Sequence, residues 1–339
     1  MSPETPKASG PAPAPRFLIT GAKGFIGAWI VKNLVECGHR PCVFDLDTDS
    51  RRLRALLSEE QLCRPHFIEG DITRLSDLDR AVTGNSVTHL IHLAAHQVPA
   101  CAADPPLGGL INVVGTLNLF EVARRRRNQV RRVVYASSAA VFGPEEFYGH
   151  TTVSEGAALL PGTHYGVFKQ CNEGNARVYY ANDGICSVGL RPWAVYGVGR
   201  DQGITSGPTK AIKAAVVGQS YTIRFTGGLD LQYVNDTAQT FLRCAESDLD
   251  GAKVFTLRGS VTQTAEFIAT LSQIVPQARD LVRAEGKALP IAYDLDDSAL
   301  VRDLREVPRT PLKQGIRETV AIFERLRREG RLDTTDLET

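Results

Sequence analysis

From Arg16 onward the chain alternates short apolar runs with longer segments in which apolar residues recur every three or four positions. The runs read as strands and the periodic segments as helices. Strands are predicted at Arg16 to Thr20, Pro41 to Asp45, His66 to Asp71, Thr88 to Ala94, Arg132 to Ser137 and Ile185 to Pro192. Helices fall between them, at Phe25 to Cys37, Arg51 to Glu60, Leu75 to Val82, Asn112 to Arg126 and Tyr165 to Ala181. Repeated β-α units of this size predict an α/β fold, a doubly wound parallel sheet with helices on both faces. Ligands in such sheets bind at the carboxyl ends of the strands.

After Arg191 the rhythm loosens. A helix near Thr209 to Val217, a strand Tyr221 to Phe225, a helix from about Asp236, a strand Lys253 to Leu257, a helix Thr262 to Val275 and a short helix Asp297 to Leu304 follow. Leu312, Ile316, Val320, Phe323 and Leu326 mark one face of a last amphipathic helix. These pieces predict a smaller α/β lobe capping the sheet. The expected division is a disordered Pro/Ala tail at residues 1–15 and a nucleotide-binding domain at 16–192 plus about 233–257. A substrate lobe at about 193–232 and 258–330 and a tail at 331–339 complete it.

The first strand runs into F-L-I-T-G-A-K-G-F-I-G, with Gly21, Gly24 and Gly27 spaced three apart ahead of a helix. Such a turn presents free backbone N–H groups and the positive end of a helix dipole to a pyrophosphate. Asp45 ends the second strand, where a carboxylate accepts hydrogen bonds from the adenosine ribose and repels a 2′-phosphate. The fold is therefore Rossmann-type, and Asp45 argues for NAD over NADP.

Composition changes this picture little. With 43% hydrophobic and 23% charged residues and a net charge of +1, nothing draws the chain to nucleic acid or to an anionic membrane. No apolar run approaches the roughly 20 residues of a membrane span. Seven dispersed cysteines without a C-x-x-C pair argue for reduced thiols, hence a cytoplasmic protein, and against zinc. His89, His92 and His96 straddle a strand and its exit without a carboxylate at ligand spacing, so no metal is expected. The arginines from Arg124 to Arg127 close a helix, where cations favour the dipole.

Tyr165 and Lys169 stand four apart at the start of a predicted helix and so share a face. A nearby ammonium stabilises phenolate and makes a general base of a group that otherwise titrates near 10. The strand ending at Ser137 delivers Ser138 to the sheet edge that also carries the glycine turn.

These residues resemble the extended short-chain dehydrogenase/reductases, in the NAD-dependent epimerase/dehydratase branch with UDP-glucose 4-epimerase-like members. The likeness runs from Arg16 to about Leu326. It rests on T-G-A-K-G-F-I-G, Asp71-Ile72, H-L-A-A at His92 to Ala95, N-V-V-G-T-L-N at Asn112 to Asn118, S-S-A-A-V-F-G at Ser137 to Gly143, Tyr165 with Lys169, and L-R-P-W-A-V-Y-G from Leu190 to Gly197. The resemblance implies that Gly21, Gly24, Phe25, Ile26 and Gly27 hold the pyrophosphate. Asp45 with Leu46 would hold the adenosine ribose, Asp71 and Ile72 the adenine, and Leu93, Ala94 and Ala95 the middle of NAD. Tyr165 would be the base, Lys169 would bind the nicotinamide ribose, Ser138 would hydrogen-bond the reacting oxygen, and Pro192 would line the cofactor site. His96, Ser138, Trp193 and Arg200 are the substrate candidates. The implied activity is NAD-dependent epimerisation of a secondary hydroxyl of a sugar or nucleotide-sugar. The alternatives are net dehydrogenation of a free sugar, sugar acid or other polyol, and a non-catalytic NAD-binding regulator. A homodimer through the helices near Asn112 and Tyr165 is also implied.

Several positions depart from that pattern. Ala139 and Ala140 stand where dehydratases carry Asp-Glu, which disfavours dehydration. Leu229, in L-D-L-Q-Y-V-N-D, takes the place of an arginine that holds the diphosphate of nucleotide sugars. A second phosphate-holding arginine has no clear counterpart in Glu285 to Tyr293, and Arg200, Lys210, Lys213 and Arg224 lie outside the family position. Ala194 replaces an asparagine common in sugar epimerases, beside Trp193, which reads equally as aromatic wall or packed core.

Overall fold

The computed structural model describes residues 14–338, so all but the last two residues of the expected N-terminal tail lie outside the described part. In chain order the strands are β1 Phe17–Thr20, β2 Cys42–Asp45, β3 His66–Glu69, β4 His89–His92, β5 Arg132–Ala136, β6 Ser187–Arg191, β7 Ala194–Tyr196, β8 Tyr221–Ile223, β9 Gly228–Tyr233, β10 Ala252–Thr256, β11 Ser260–Gln263 and β12 Val282–Ala284. The helices are α1 Phe25–Glu36, α2 Arg51–Leu56, α3 Glu59–Leu62, α4 Leu75–Gly84, α5 Val98–Ala103, α6 Pro105–Gly109, α7 Gly115–Arg125, α8 His164–Asp183, α9 Gly207–Val217, α10 Val234–Glu246, α11 Thr264–Ile274, α12 Ala278–Leu281, α13 Ser298–Leu304 and α14 Leu312–Arg328.

Seven strands form one parallel sheet in the order β10-β6-β5-β4-β1-β2-β3. The strand order reverses between β1 and β4, and that reversal opens a crevice at their carboxyl ends. Alternate residues of one strand feed opposite cores. Ile19, Val43, Ile91 and Val134 face the layer containing α1 and α10, whereas Leu18, Phe44, Leu90 and Val133 face the layer containing α4 and α7. Each such side chain, removed from water, contributes roughly 1.5–3 kcal/mol before entropy. A smaller sheet, β11-β9-β7, and the pair β12-β8 stand beside the main one.

The structure adds short elements the periodicity did not reveal, among them α5, β7, β9 and β12, and differs from it further as follows. The helix expected from Asn112 begins at Pro105. Asp104 Oδ1 accepts from Leu107 N at 3.0 Å, prolines occupy the first helical positions, and a π-helical turn at Leu110–Val114 carries the helix into α7. Proline and glycine in P-P-L-G-G hide this start, although proline is suited to a first turn. That run, Pro105–Arg125, is by length and mean hydropathy (1.3) long enough to cross a membrane, unlike any apolar run expected from the sequence. Its inner face packs on the sheet through Leu119 and Phe120, as the core helix of a folded domain does. The helix expected over Arg51 to Glu60 breaks at Leu57, and α3 restarts with Ser58 and Gln61 in a reciprocal cap. The helix expected from Thr262 is preceded by β11, which pairs antiparallel with β9, a strand the pattern did not reveal. At the other end, Thr335–Leu337 forms a 3₁₀ turn held by Asp336, which ion-pairs with Lys213 at 2.6 Å.

Candidate active site

The glycine turn is fixed by contacts that only glycine permits. Gly21 has φ +66°, and a Cβ there would lie 2.6 Å from Ala94 N at the exit of β4. A Cβ on Gly27 would collide with Gly21 O and lie 2.7 Å from Ala22 Cα. The turn thereby draws β1, α1 and β4 together at one edge. At Gly24, α1 starts without a side-chain cap and without an acid in its first turn, so its N–H groups and dipole face the crevice. A pyrophosphate fits that opening.

Asp45 projects from the end of β2. Its Oδ2 accepts from Lys23 N at 2.9 Å and its Oδ1 from Asp47 N at 3.1 Å, which orients the carboxylate in the cleft. Arg51 and Arg52 do not counter it: both ion-pair with Asp201, at 3.1 and 2.6 Å, and Arg52 also donates to Gly199 O. Asp71 accepts from Thr73 N and Oγ1 at 2.8 Å each.

The N-V-V-G-T-L-N segment explains itself around this edge. Asn112 Oδ1 accepts from His96 N at 2.7 Å and its Nδ2 donates to His96 O. Gly115 packs against the Ile72 side chain, and Asn118 Nδ2 donates to Ile72 O at 2.9 Å. His92 is buried between Thr20 Oγ1 and Thr116 Oγ1, at 2.6 and 3.0 Å. Burial, then the Lys169 charge, hold His92 down at about 3, so it is a neutral strut beneath the site. His89, at the other end of β4, lies with its ring 5.3 Å from that of Phe17 and tilted by 40° to it.

Helix α8 brings Tyr165 and Lys169 to the crevice. Thr163 caps it, its side chain accepting from Gly166 N at 3.1 Å, so the two functional residues fall in the first two turns. A Cβ on Gly166 would collide with Ala140 O, so the helix start is pressed against the segment carrying Ser138. Lys169 Nζ donates to Ala136 O at 2.6 Å and lies 5.5 Å from the centroid of the Tyr165 ring. The expected lowering of the Tyr165 phenol by Lys169 is not what the geometry gives. Burial raises the phenol, and the opposing influences are a hydrogen bond with Ser138 and the charge of Arg200. Burial also pulls Lys169 down to about 8, which weakens it as a neighbouring cation.

One cleft of about 860 Å³ gathers all of the sequence-derived candidates: the glycine turn, Asp45, Leu46, Asp71, Ile72, Leu93 to His96, Ser138, Tyr165, Lys169, Pro192, Trp193 and Arg200. The two alternatives for Trp193 combine. Its ring lines the cleft, while its Nε1 donates to Ala292 O at 2.9 Å and its backbone N donates to Gln232 Oε1 at 3.1 Å. Leu229 is fully buried in the core and does not line the cleft. Where a second arginine was sought, Leu289, Pro290 and Ile291 form an apolar wall. Sequence reading missed Lys23, Gln97, Thr205 and this wall. Thr163 had a readable signal, a cap two residues ahead of the tyrosine; the wall lies on an irregular loop with none.

A parallel sheet with a glycine turn at its switch point, an acid ending β2 and a tyrosine-lysine pair on α8 defines an NAD-dependent enzyme of the extended short-chain dehydrogenase/reductase type. Residues 17–256 match the model of the NAD dependent epimerase/dehydratase family, and the chain belongs to that family. It is similar to UDP-glucose 4-epimerase of Mycolicibacterium smegmatis, 29% identical over 323 residues that cover 91% of this chain and 98% of that one. Among solved structures it resembles Thermus thermophilus UDP-glucose 4-epimerase in complex with NAD, with a TM-score of 0.76, 25% identity, and 91% and 98% of the two chains covered. It also shares its fold with a partial-consensus L-threonine 3-dehydrogenase, with a TM-score of 0.81, 24% identity, and 92% and 100% covered.

Proposed function

We propose that this enzyme oxidises a secondary hydroxyl of a sugar or sugar-derived substrate and that Tyr165 is the base. The observation that carries this is the meeting of Ser138, Tyr165 and Lys169 in the cleft that runs on to the glycine turn. NAD, when bound, supplies the acceptor for the hydrogen and electron pair that leave the carbinol carbon. Gly21, Gly24, Phe25, Ile26 and Gly27 would hold its pyrophosphate, Asp45 and Leu46 its adenosine ribose, and Asp71 and Ile72 its adenine. Leu93, Ala94, Ala95 and Pro192 would line its middle and nicotinamide end. Ser138 would donate to the substrate oxygen, Tyr165 as phenolate would take the hydroxyl proton, and Lys169 would hold the nicotinamide ribose. Burial opposes the phenolate, and the Ser138 hydrogen bond and the Arg200 charge offset part of that cost.

Residues 16–192 with 233–257 then hold the cofactor, and 193–232 with 258–330 shape the substrate end. Epimerisation with NAD retained is the leading outcome, since the full-length relative just described is a UDP-glucose 4-epimerase. Net dehydrogenation of a substrate without a nucleotide is the second reading, favoured by the burial of Leu229 and the apolar Leu289-Pro290-Ile291 wall. The assembly we propose is a homodimer. Purified protein incubated with NAD and a panel of UDP-hexoses, free sugars and sugar acids separates these outcomes. Interconversion of epimers without net NADH is expected for the first and steady NADH for the second. Undiminished turnover in Tyr165→Phe would remove Tyr165 as base.

A further inference from the structure

Among the described residues four cations, Lys23, Arg52, Lys169 and Arg200, line the cleft, and three are committed elsewhere. Lys23 Nζ donates to Asp47 O at 2.6 Å, Arg52 is held by Asp201 and Gly199 O, and Lys169 donates to Ala136 O. Arg200 is the exception. Its Nη2 donates to Thr205 Oγ1 at 2.8 Å, and its guanidinium lies 5.8 Å from the Phe25 ring centroid. Its Nε is buried without a hydrogen-bond partner. Among the described residues no carboxylate reaches Arg200 within ion-pair distance; its neighbour Asp201 is taken by Arg51 and Arg52. A desolvated guanidinium with an open donor is costly unless an anion meets it. Burial lowers Arg200, and the charge of the Tyr165 phenol is the influence that most opposes that; both residues line the same cleft.

Two further groups shape the spot. A Cβ on Gly203 would collide with Gln97 Oε1 and lie 3.2 Å from Arg200 Nη2, so the loop glycine, the amide and the guanidinium converge there. Gln97 and Thr205 both line the same cleft. The remaining surroundings, Ile204 and the Leu289-Pro290-Ile291 wall, carry no charge to receive a diphosphate.

We propose that Arg200, flanked by Gln97 and Thr205, binds the carboxylate of a sugar-acid substrate whose reacting hydroxyl lies at Tyr165. This rests on the reading of Tyr165 as base but names the substrate class beyond it. One guanidinium suits one carboxylate, which it can meet with two parallel hydrogen bonds. A nucleoside diphosphate brings two charges to an end of the cleft where, among the described residues, one cation is free. No chemistry beyond the proposed alcohol oxidation is added; the carboxylate is bound and unchanged.

The test uses the full chain loaded with NAD, and equilibrium binding is read by calorimetry. The probes are D-gluconate and D-glucuronate, with D-glucitol and the methyl ester of glucuronate as neutral counterparts. The wild type is expected to bind the acids more tightly than their neutral counterparts. Arg200→Gln should weaken the acids by about 10- to 100-fold, the worth of a hydrogen bond to a charged group, while NAD affinity and the neutral probes stay unchanged. Arg200→Lys should recover part of the loss, which also reports that the fold survives. Tyr165→Phe should abolish turnover yet keep acid binding, so failure of the base assignment and failure of this subsite give different results. Equal binding of acids and neutral probes by the wild type would overturn the proposal. So would a drop in NAD affinity in Arg200→Gln, which would assign the guanidinium to the cofactor pyrophosphate.

Discussion

Arg191 at the end of β6 grips Glu173 in the middle of α8 with two parallel hydrogen bonds, Nε to Oε1 at 2.8 Å and Nη2 to Oε2 at 2.7 Å, and both side chains are buried. Ser137 Oγ donates to the same Oε1 at 2.5 Å. This pair ties the helix carrying Tyr165 and Lys169 to the strand end carrying Pro192 and to the residue before Ser138. It therefore sets the distance between the proposed base and its hydrogen-bonding partner.

Glu173→Gln is expected to destabilise the protein strongly. Removing one charge leaves Arg191 buried and uncompensated, and breaking such a pair costs about 3–5 kcal/mol. Urea unfolding read by circular dichroism should show the loss as a lower midpoint. The double variant Glu173→Leu with Arg191→Met should recover much of it, because no charge is then left stranded. A Glu173→Gln midpoint equal to wild type would contradict the burial described.

Lys169 gives a signed pH prediction. Its folded value, about 8, lies below the ordinary lysine value of 10.5 because the ammonium is desolvated. Below pH 8 both folded and unfolded chains hold the proton, and the folded state carries the full cost of the buried cation. Between pH 8 and 10.5 the unfolded lysine still binds a proton that the folded one has released, so stability contributed by this site rises with pH. The rise is up to about 3 kcal/mol by linkage. Thermal or urea midpoints of wild type and Lys169→Met, compared at pH 7.5 and 10, should converge or cross in the direction of relative wild-type gain. A gap that stays constant would mean that the lysine is not desolvated.

In the proposed site cofactor choice would rest on Asp45, whose two oxygens are oriented by Lys23 N and Asp47 N. Wild type is expected to bind NAD more tightly than NADP. Asp45→Asn should narrow that preference by about tenfold or more, since roughly 1.4 kcal/mol of repulsion against a 2′-phosphate is a factor of ten. Fluorescence titration with both dinucleotides measures it, and a wild type that prefers NADP would overturn the assignment.

The repeating strand-helix units and the glycine turn were legible because each is encoded by neighbours in sequence. Gly21, Gly24 and Gly27 act within one turn, and Tyr165 and Lys169 within one helix. Less legible was anything set by contacts distant in sequence. Gln232 accepts from Trp193 N, which decides that Trp193 both lines the cleft and stays packed, yet 39 residues separate them. The phenol of Tyr165 was expected to feel Lys169 most. In the fold the ammonium turns to Ala136 O, so burial dominates and Arg200, 35 positions away in sequence, is the cation that matters. Helix α6 was hidden for the opposite reason: its prolines act as a start signal only once Asp104 is seen capping it.

The final prediction concerns the outer face of α8 and the π-helical turn before α7. Leu107, Leu110 and Val114 recur every three or four positions and are exposed, and Val167, Cys171 and Val178, four and seven positions apart, are exposed on α8, which packs alongside. Val178 is 57% exposed, whereas Phe120 is fully buried against the sheet and stacks on Tyr179. Burial separates two faces: Phe120 belongs to the core, and Val178 to the outside. A stripe of apolar side chains on two adjacent helices loses solvation cost when a second copy covers it. We therefore expect a dimer in sedimentation equilibrium, and Val178→Glu with Leu110→Lys should shift it to monomer. The far-UV spectrum should be unchanged, since both positions already face solvent in the single chain. A wild type that sediments as a monomer at micromolar concentration would refute this assembly and leave the helical face without a partner of its own kind.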